Sequence, residues 1–243
     1  MILLIDADIL CYRIGFACEN ESEGVARKTM SNFLTNIIED LVMASDDDDH
    51  AVELYLTGKG NFRHDYAVTA EYKGNRKKNR KPCHLPMLRD YLVSKHGAIV
   101  TQGEETDDRI AIRATQAGDT SIIVSLDKDF DQVQGWHYNF VKKDKYYVEA
   151  DEGVFNFYVQ FLTGDSADNI IGVRGIGPVK AKKLLEDKTE IEMFNTCVDK
   201  LGSEERAIEN GILLYLRRQD DEIWQPPRPV TTDDGQKLDT SPS

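Results

Sequence analysis

An α/β protein with a mostly parallel sheet, helices on both of its faces and a smaller helical region at its C-terminal side is what this sequence predicts. Three observations carry that expectation. Short, continuous apolar runs recur from residue 1 to residue 125, helical periodicities separate them, and acidic side chains stand where the runs end. Strands covered on both faces read as unbroken apolar runs, which points to a parallel sheet between helical layers. A length of 243 residues suits one large domain with an appendage.

Residues 1–5 (M-I-L-L-I) form the first expected strand and stop at Asp6. Residues 50–56 form the second and residues 98–100 the third; residues 121–125 (S-I-I-V-S), short and β-branched, form the fourth. Between them, residues 27–43 place Phe33, Leu34, Ile37, Ile38 and Leu41 at helical spacing, and residues 107–117 repeat that pattern. Residues 135–141 and 146–149, joined by the polar residues 142–145, read as an added hairpin. From about residue 161 the chain changes to short helical pieces and glycine turns. Residues 225–243, with Pro226, Pro227, Pro229 and Pro242 and few apolar side chains, are expected to be a mobile tail. The expected parts are therefore 1–160, 161–224 and 225–243.

Composition excludes several classes. No apolar run approaches the roughly 20 residues of a membrane helix, and the opening run is too short for a secretory signal, so no membrane partner and a cytoplasmic setting are expected. Cys11, Cys18, Cys83 and Cys197 form no C-x-x-C pair, which argues for reduced thiols rather than a zinc ribbon or disulfide scaffold. A formal net charge of −13 argues at first against a polyanion partner. Its distribution reverses that inference: much of the acidity sits at strand ends and in the run 46–49, read as a solvated loop, and the remainder is nearly balanced.

The acidic side chains at the strand ends are the chemically informative ones. Asp6 and Asp8 follow the first strand, and Asp127, Asp129 and Asp131 follow the fourth. Glu104, Glu105, Asp107 and Asp108 lead into a helix, and Asp165 and Asp168 follow the apolar pair Phe161-Leu162. A lone aspartate after a strand is ordinarily a cap or turn residue. Ligands of open α/β sheets, however, collect outside the carboxyl ends of the strands, and so many carboxylates there would repel one another without bound cations. Oxygen donors without histidine or cysteine favour Mg²⁺ or Mn²⁺, and two such ions about 4 Å apart suit phosphodiester hydrolysis. A calcium loop starting at Asp127 fails, because Gln132 and Tyr138 stand where glycine and glutamate are needed.

Residues 71–81 (E-Y-K-G-N-R-K-K-N-R-K) carry Lys73, Arg76, Lys77, Lys78, Arg80 and Lys81 against one glutamate. Such a stretch suits phosphate oxygens, with Tyr72 available to stack on a base, although an exposed charged loop would read the same way. Residues 172–178 (G-V-R-G-I-G-P), followed by Lys180, Ala181, Lys182 and Lys183, read as a helix-hairpin-helix. Gly172, Arg174, Gly175 and Gly177 would present the backbone to a phosphate at a helix N-terminus. A dinucleotide fingerprint fails because Lys180 occupies its last small position.

Taken in order, five segments resemble the 5′-nuclease family of flap endonucleases, bacteriophage 5′→3′ exonucleases and the 5′-nuclease domain of bacterial DNA polymerase I. They are L-I-D-A-D at 4–8, Y-K-G-N-R at 72–76, E-T-D-D at 105–108, S-L-D-K-D-F-D at 125–131 and G-D-S-A-D-N-I-I-G-V-R-G-I-G-P-V-K-A at 164–181. The resemblance spans about residues 1–185 and implies a PIN-like fold holding two Mg²⁺ or Mn²⁺ ions. Carried over motif by motif, it makes Asp6, Glu105, Asp107 and Asp108 metal ligands, together with Asp127, Asp129, Asp165 and Asp168. Asp8, Glu104 and Asp131 become outer residues. Lys73 and Arg76, with Tyr72 stacking, become contacts to the scissile phosphate in an arch over about 62–96. The hairpin implies a grip on duplex DNA with a K⁺ ion on loop carbonyls, and Lys77, Lys78, Arg80 and Lys81 join it as DNA contacts. The implied activity is hydrolysis from or near a 5′ end, leaving a 5′-phosphate and a 3′-hydroxyl, on DNA and on an RNA–DNA hybrid as a further substrate. A monomer is expected, in the host cytoplasm if the protein is bacteriophage-encoded.

Two departures stand out. Where the family carries an aspartate after the second strand, this chain reads Leu56-Thr57-Gly58-Lys59. The stretch from Tyr72 to the E-x-D-D motif is short and contains Pro82 and Pro86, so a shortened helical gateway is expected. Two other readings compete. Asp6-Ala7-Asp8 after a strand also suits a phosphatase of the haloacid-dehalogenase kind, with Asp6 as covalent nucleophile. The carboxylate missing at Thr57 also suits a branched-DNA-binding protein without catalysis.

Overall fold

In the computed structural model the described residues are 1–43, 49–78 and 80–228, without the side chains of Lys77 and Lys78. Asp46, Asp47 and Asp48 of the acidic run, and residues 229–243 of the expected tail, lie outside them. The chain divides into two compact units. The first comprises Met1–Asp65, Arg76–Gly153 and Leu216–Glu222; the second comprises Tyr66–Asn75, Val154–Tyr215 and Ile223–Ser243.

The first unit is built on β1 (Ile2–Asp6), α1 (Ala7–Ala17), α2 (Glu23–Val42), β2 (Ala51–Lys59), the single turn α3 (Arg63–Tyr66), α4 (Leu85–His96), β3 (Ile99–Gln102) and α5 (Thr106–Ala117). The strands β4 (Ser121–Val124), β5 (Gly135–Asn139) and β6 (Asp144–Val148) complete it. The sheet order is β3-β2-β1-β4-β5-β6, parallel except for the β5–β6 hairpin. Alternation along the central strands serves two helical layers. Leu3 and Ile5 of β1 join Leu54, Ile122 and apolar side chains of α1, α2 and α4 in one core. Leu4 joins Tyr55, Ile123 and, from α5, Ile110, Ala111 and Ala114 on the other face.

Local chemistry explains where expectation and structure part. Residues 7–17 are apolar almost all round, so they carry no amphipathic contrast, yet Asp6 caps them by accepting the Asp8 and Ile9 N–H groups and α1 forms. Pro86 does not interrupt the gateway region. It stands in the first turn of α4, where a missing N–H costs nothing. The hairpin register Gly135↔Val148 ends β5 at Asn139 and takes Asp144 and Lys145 into β6, so the four-residue connection is 140–143 rather than 142–145.

The second unit contains most of α6 (Ala150–Thr163), the paired two-residue strands β7 (Gly164–Asp165) and β8 (Ile170–Ile171), and the helices α7 (Pro178–Leu185), α8 (Glu190–Leu201) and α9 (Glu204–Leu214). Its core is aromatic: Phe157, Tyr158, Phe161, Phe194 and Trp224 pack with Tyr72. Residues 66–75 therefore group with this unit rather than with residues 1–160, and the division falls at Gly153 rather than 160. Residues 216–222 return to the first unit, where Leu216 N–H donates to Gln132 Oε1 at 2.9 Å. Among the described residues no helix is long and apolar enough to cross a membrane.

Candidate active site

In the first unit β1 has β2 on one side and β4 on the other, so strand order reverses at the β1–β4 boundary. Crevices at such points hold ligands in open α/β sheets. Asp6 ends β1 there. Its Oδ1 accepts the N–H groups of Asp8 (3.1 Å) and Ile9 (3.4 Å), and its Oδ2 accepts the Ser125 hydroxyl at 3.1 Å. Burial, followed by the charge of Asp8 and, less strongly, that of Asp127, lifts the Asp6 carboxyl to about 7 against the opposing pull of its hydrogen bonds. Asp127 is exposed beyond β4, with Oδ1 accepting the Asp129 N–H at 3.0 Å. Each aspartate is thus also the cap that the sequence allows it to be. Capping leaves lone pairs for a cation, since each carboxylate has about four acceptor positions.

Asp8 is held from several sides. Thr57 N–H donates to Oδ2 at 2.7 Å, the Thr106 hydroxyl reaches the same oxygen at 3.3 Å, and Arg89 pairs with Oδ1. Thr57 Oγ1 in turn donates to Thr106 Oγ1 at 2.9 Å and accepts the Thr106 N–H at 3.2 Å. The residue in place of the family aspartate thus ties β2 to the start of α5.

The E-x-D-D carboxylates separate by environment. Asp108 is fully buried and receives Arg63 through Nη1 (2.6 Å) and Nη2 (2.8 Å), as well as the N–H groups of Arg217 (3.2 Å) and Glu105 (3.3 Å). Burial would raise its pKa; the Arg63 charge and these hydrogen bonds outweigh burial and hold it below the usual carboxylate range. With both oxygens engaged by arginine and backbone, Asp108 is placed to orient α5 rather than to face a metal. Glu104 is buried between Arg109 (2.6 Å) and Arg217 (3.5 Å). Glu105, Asp107 and Asp129 are half-buried, and Asp131 accepts the Tyr146 hydroxyl at 2.7 Å.

In the second unit, two motifs distant in sequence interlock. Lys73 N–H donates to the Asp168 carbonyl at 2.8 Å, Asn75 Nδ2 to the Ser166 carbonyl at 2.5 Å, and Asn169 Nδ2 to the Glu71 carbonyl at 2.9 Å. Asp165 Oδ1 accepts the Ala167 N–H at 2.7 Å, and Lys73 Nζ lies 3.5 Å from Asp168 Oδ2. Tyr72 requires a correction. It is 3 % exposed, in the aromatic core, with its hydroxyl on Asp168 at 2.8 Å, so it is a core residue that positions Asp168 and offers no face to a base. Gly172 is needed for close backbone packing, since a Cβ there would stand 2.3 Å from the Thr163 carbonyl carbon.

The rest of the hairpin is open. Arg174, Gly175, Gly177, Lys180, Lys182 and Lys183 are exposed, Gly175 has φ +81°, and Gly177 precedes the first turn of α7. Lys180 Nζ donates to the Gly175 carbonyl at 3.5 Å, so a K⁺ ion on that oxygen would have to displace it. Arg76, Arg80 and Lys81 are exposed, and Arg80 pairs with Glu19 at 2.8 Å. Sequence reasoning passed over Arg63, Arg89 and Arg217. It also passed over Tyr12 and Phe16, an exposed aromatic pair on α1 at 6.4 Å. An arginine's partner is a tertiary fact; the i, i+4 spacing of the aromatics was the one available signal.

Among the described residues no three acidic, histidine or cysteine side chains already converge as a formed metal site. The donor set nevertheless fits a hard cation: the side chains gathered at the end of β1 are oxygen donors, and burial together with the charges of Asp8 and Asp127 disfavours the ionised form of Asp6, which a divalent charge would stabilise.

The model of the 5′-3′ exonuclease N-terminal resolvase-like domain matches residues 1–158. The chain belongs to the 5′-3′ exonuclease family. DNA polymerase I of Bacillus caldotenax is 29 % identical over 224 residues, covering 84 % of this chain and 25 % of the polymerase. Flap endonuclease Xni of Shewanella sediminis is 32 % identical over 155 residues, covering 56 % of this chain and 60 % of Xni. The chain thus spans a quarter to three fifths of the curated relatives it matches. The bacteriophage T5 flap endonuclease, solved in a complex with DNA and metal ions, shares the fold with a TM-score of 0.64 at 21 % identity over 88 % of this chain and 89 % of that one.

Proposed function

We propose that this 5′-3′ exonuclease family member is a divalent-metal-dependent 5′-nuclease that hydrolyses DNA phosphodiesters from or near 5′ ends. The observation that carries the reading is the crowding of Asp6, Asp8 and Asp127 at the strand-order reversal, with Asp6 raised to about 7. Family membership and the DNA and metal ions bound by the T5 relative support it.

Asp6, Asp127, Asp129, Glu105 and Asp107 are the residues we assign to hold Mg²⁺ or Mn²⁺; for Asp165 and Asp168 the assignment rests on their motif. Bound divalent ions would supply Lewis acidity at the phosphoryl oxygen and a more acidic water. Ser125, by donating to Asp6, keeps that carboxylate aimed along β1. Asp108 and Arg63 hold the first turn of α5, and with it Glu105 and Asp107, in place. Lys73 and Arg76 are proposed to offset charge on the scissile phosphate. The exposed lysines of α7, with the Gly177 turn, would take a backbone phosphate at the helix N-terminus. Tyr12 and Phe16 are exposed aromatics available to stack on a base, whereas Tyr72 is buried. The phosphatase alternative is disfavoured, because Asp6 is 3 % exposed with both oxygens accepting hydrogen bonds.

The test is digestion of 5′-flap, nicked, blunt-duplex and RNA–DNA substrates, labelled at both ends, in Mg²⁺, Mn²⁺, Ca²⁺ or EDTA. Cleavage in Mg²⁺ or Mn²⁺ that begins at or near the 5′ end is expected. Binding without cleavage under every condition would replace this reading with the non-catalytic one. The four substrates separate exonuclease, flap and RNA-removing activities, and replacing K⁺ by Na⁺ tests the hairpin ion.

A further inference from the structure

Arg89 lies outside every motif that suggested the family, yet it is fixed at the β1–β2 end of the sheet. From α4 its Nη1 donates to Asp8 Oδ1, and its Nη2 donates to the Thr57 carbonyl. Its two anchors are themselves fixed, since Asp8 Oδ2 accepts the Thr57 N–H and the Thr106 hydroxyl. Asp8 stands two residues after Asp6, and its N–H donates to Asp6 Oδ1 at 3.1 Å. The guanidinium is therefore held through Asp8, two residues from the proposed metal ligand Asp6, and beside the position where Thr57 replaces the family aspartate.

We infer that Arg89 is a substrate contact: a pre-positioned guanidinium that binds a phosphodiester oxygen of the nucleic-acid strand at the β2 end of the site. Three observations carry this. First, among the described residues, Nε and one hydrogen of each Nη of Arg89 have no partner, while the side chain remains 26 % exposed. A purely structural clamp of this kind is Arg63, which is 1 % exposed and spends its fork on Asp108. Second, the planar fork matches phosphate geometry, and two fixed anchors remove most of the side-chain entropy that phosphate binding would otherwise cost. Third, the β2 end lacks the carboxylate that would bring metal charge there, so Arg89 is a resident positive charge at that end. Asp8, through which it is aimed, is a positioning residue.

This inference rests on the nuclease reading, and the test separates the two. Duplexes with a 5′ flap, each carrying one neutral methylphosphonate at successive linkages around the cleavage point, are bound in Ca²⁺ and cleaved in single turnovers in Mg²⁺ by wild type, Arg89→Ala and Arg89→Lys. Arg89→Ala is expected to weaken binding or slow cleavage about 10- to 100-fold. At one linkage the methylphosphonate should cost wild type a similar factor and cost Arg89→Ala almost nothing more. Arg89→Lys keeps the charge and the Asp8 pair but loses the fork, and should fall between the two. It also serves if the alanine variant fails to fold. Additive penalties at every linkage would overturn the phosphate contact while leaving the nuclease intact. Absence of cleavage by wild type on all unmodified substrates would instead overturn the nuclease reading.

Discussion

Arg63 and Asp108 form a buried two-pronged ion pair, Nη1 to Oδ2 at 2.6 Å and Nη2 to Oδ1 at 2.8 Å, 45 residues apart in sequence. The pair joins the turn after β2 to the first turn of α5, and Arg217, stacked 3.6 Å above the Phe62 ring, adds its backbone N–H to the same carboxylate. Three separate stretches of chain thus meet on one aspartate. Removing one partner strands a charge without water. Arg63→Ala should destabilise the protein by about 3–5 kcal/mol, read as a lowered urea midpoint. Arg63→Met combined with Asp108→Leu should recover part of that loss. Additive losses from the two changes would exclude the coupling.

The raised Asp6 carboxyl predicts a pH-dependent metal effect. Its folded value, about 7, lies above the ordinary 3.8, so the folded state keeps a proton that the unfolded chain releases. Its contribution to stability is full below pH 4 and is lost as the pH rises through 7. In EDTA the melting temperature should therefore decline over that range. Mg²⁺ should raise it more at pH 8 than at pH 5, and Asp6→Asn should flatten the difference. An equal Mg²⁺ shift at both pH values in wild type would remove Asp6 from the cation site.

Tyr72 offers a clean separation of two roles. Tyr72→Phe keeps the ring in the aromatic core and removes the hydroxyl on Asp168. A stability loss of about 1.5–3 kcal/mol is expected for a hydrogen bond to a charged acceptor, together with slower turnover and unchanged DNA affinity in Ca²⁺. Tyr12→Ala and Phe16→Ala should do the opposite, weakening affinity while leaving stability nearly unaltered. Unchanged turnover and stability in Tyr72→Phe would remove its hydroxyl from the positioning of Asp168.

Charge and packing separate in the hairpin as well. Replacing Lys180, Lys182 and Lys183 by alanine should weaken DNA binding similarly for all sequences. The salt dependence of binding should fall by about one unit of slope for each phosphate no longer neutralised. Gly172→Ala should instead unfold the second unit locally, because its Cβ would meet the Thr163 and Gly164 backbones at about 2.3–2.4 Å. Faster amide exchange around β7 and β8 would register this, and unchanged exchange would refute the packing role.

Asp127→Asn and Asp165→Asn should each lower turnover far more than they lower DNA binding in Ca²⁺, because a neutral amide cannot replace a ligating charge. Equal rates of variant and wild type at limiting Mg²⁺ would remove that residue from the site. Lys73→Ala should slow single-turnover cleavage without that change in Mg²⁺ dependence.

Much of this protein was legible in its sequence because the signals were local. Continuous apolar runs specified β1, β2 and β4, and the carboxylates directly after β1 and β4 marked where a site is proposed. A glycine hairpin followed by lysines marked the turn before α7 from backbone requirements alone. The uniformly apolar α1 carried no periodic contrast, and Pro86 looked like a break although it opens α4. Those two elements depended on a cap and on a position within a turn.

What only the tertiary structure decided is which side chains share a space. Sequence placed Asp107 and Asp108 side by side as equivalent carboxylates; folding paired one of them with Arg63 and Arg217. It made Tyr72 a candidate stacking ring, and the aromatic core of the second unit buried it. It left Arg89 unremarked, and α4 delivered it to Asp8 and the Thr57 carbonyl. Backbone pattern is written in neighbouring residues, because strand and helix periods repeat within a few positions. Solvation and electrostatic partnership depend on groups scores of residues away, and they exist only once the chain has closed around them.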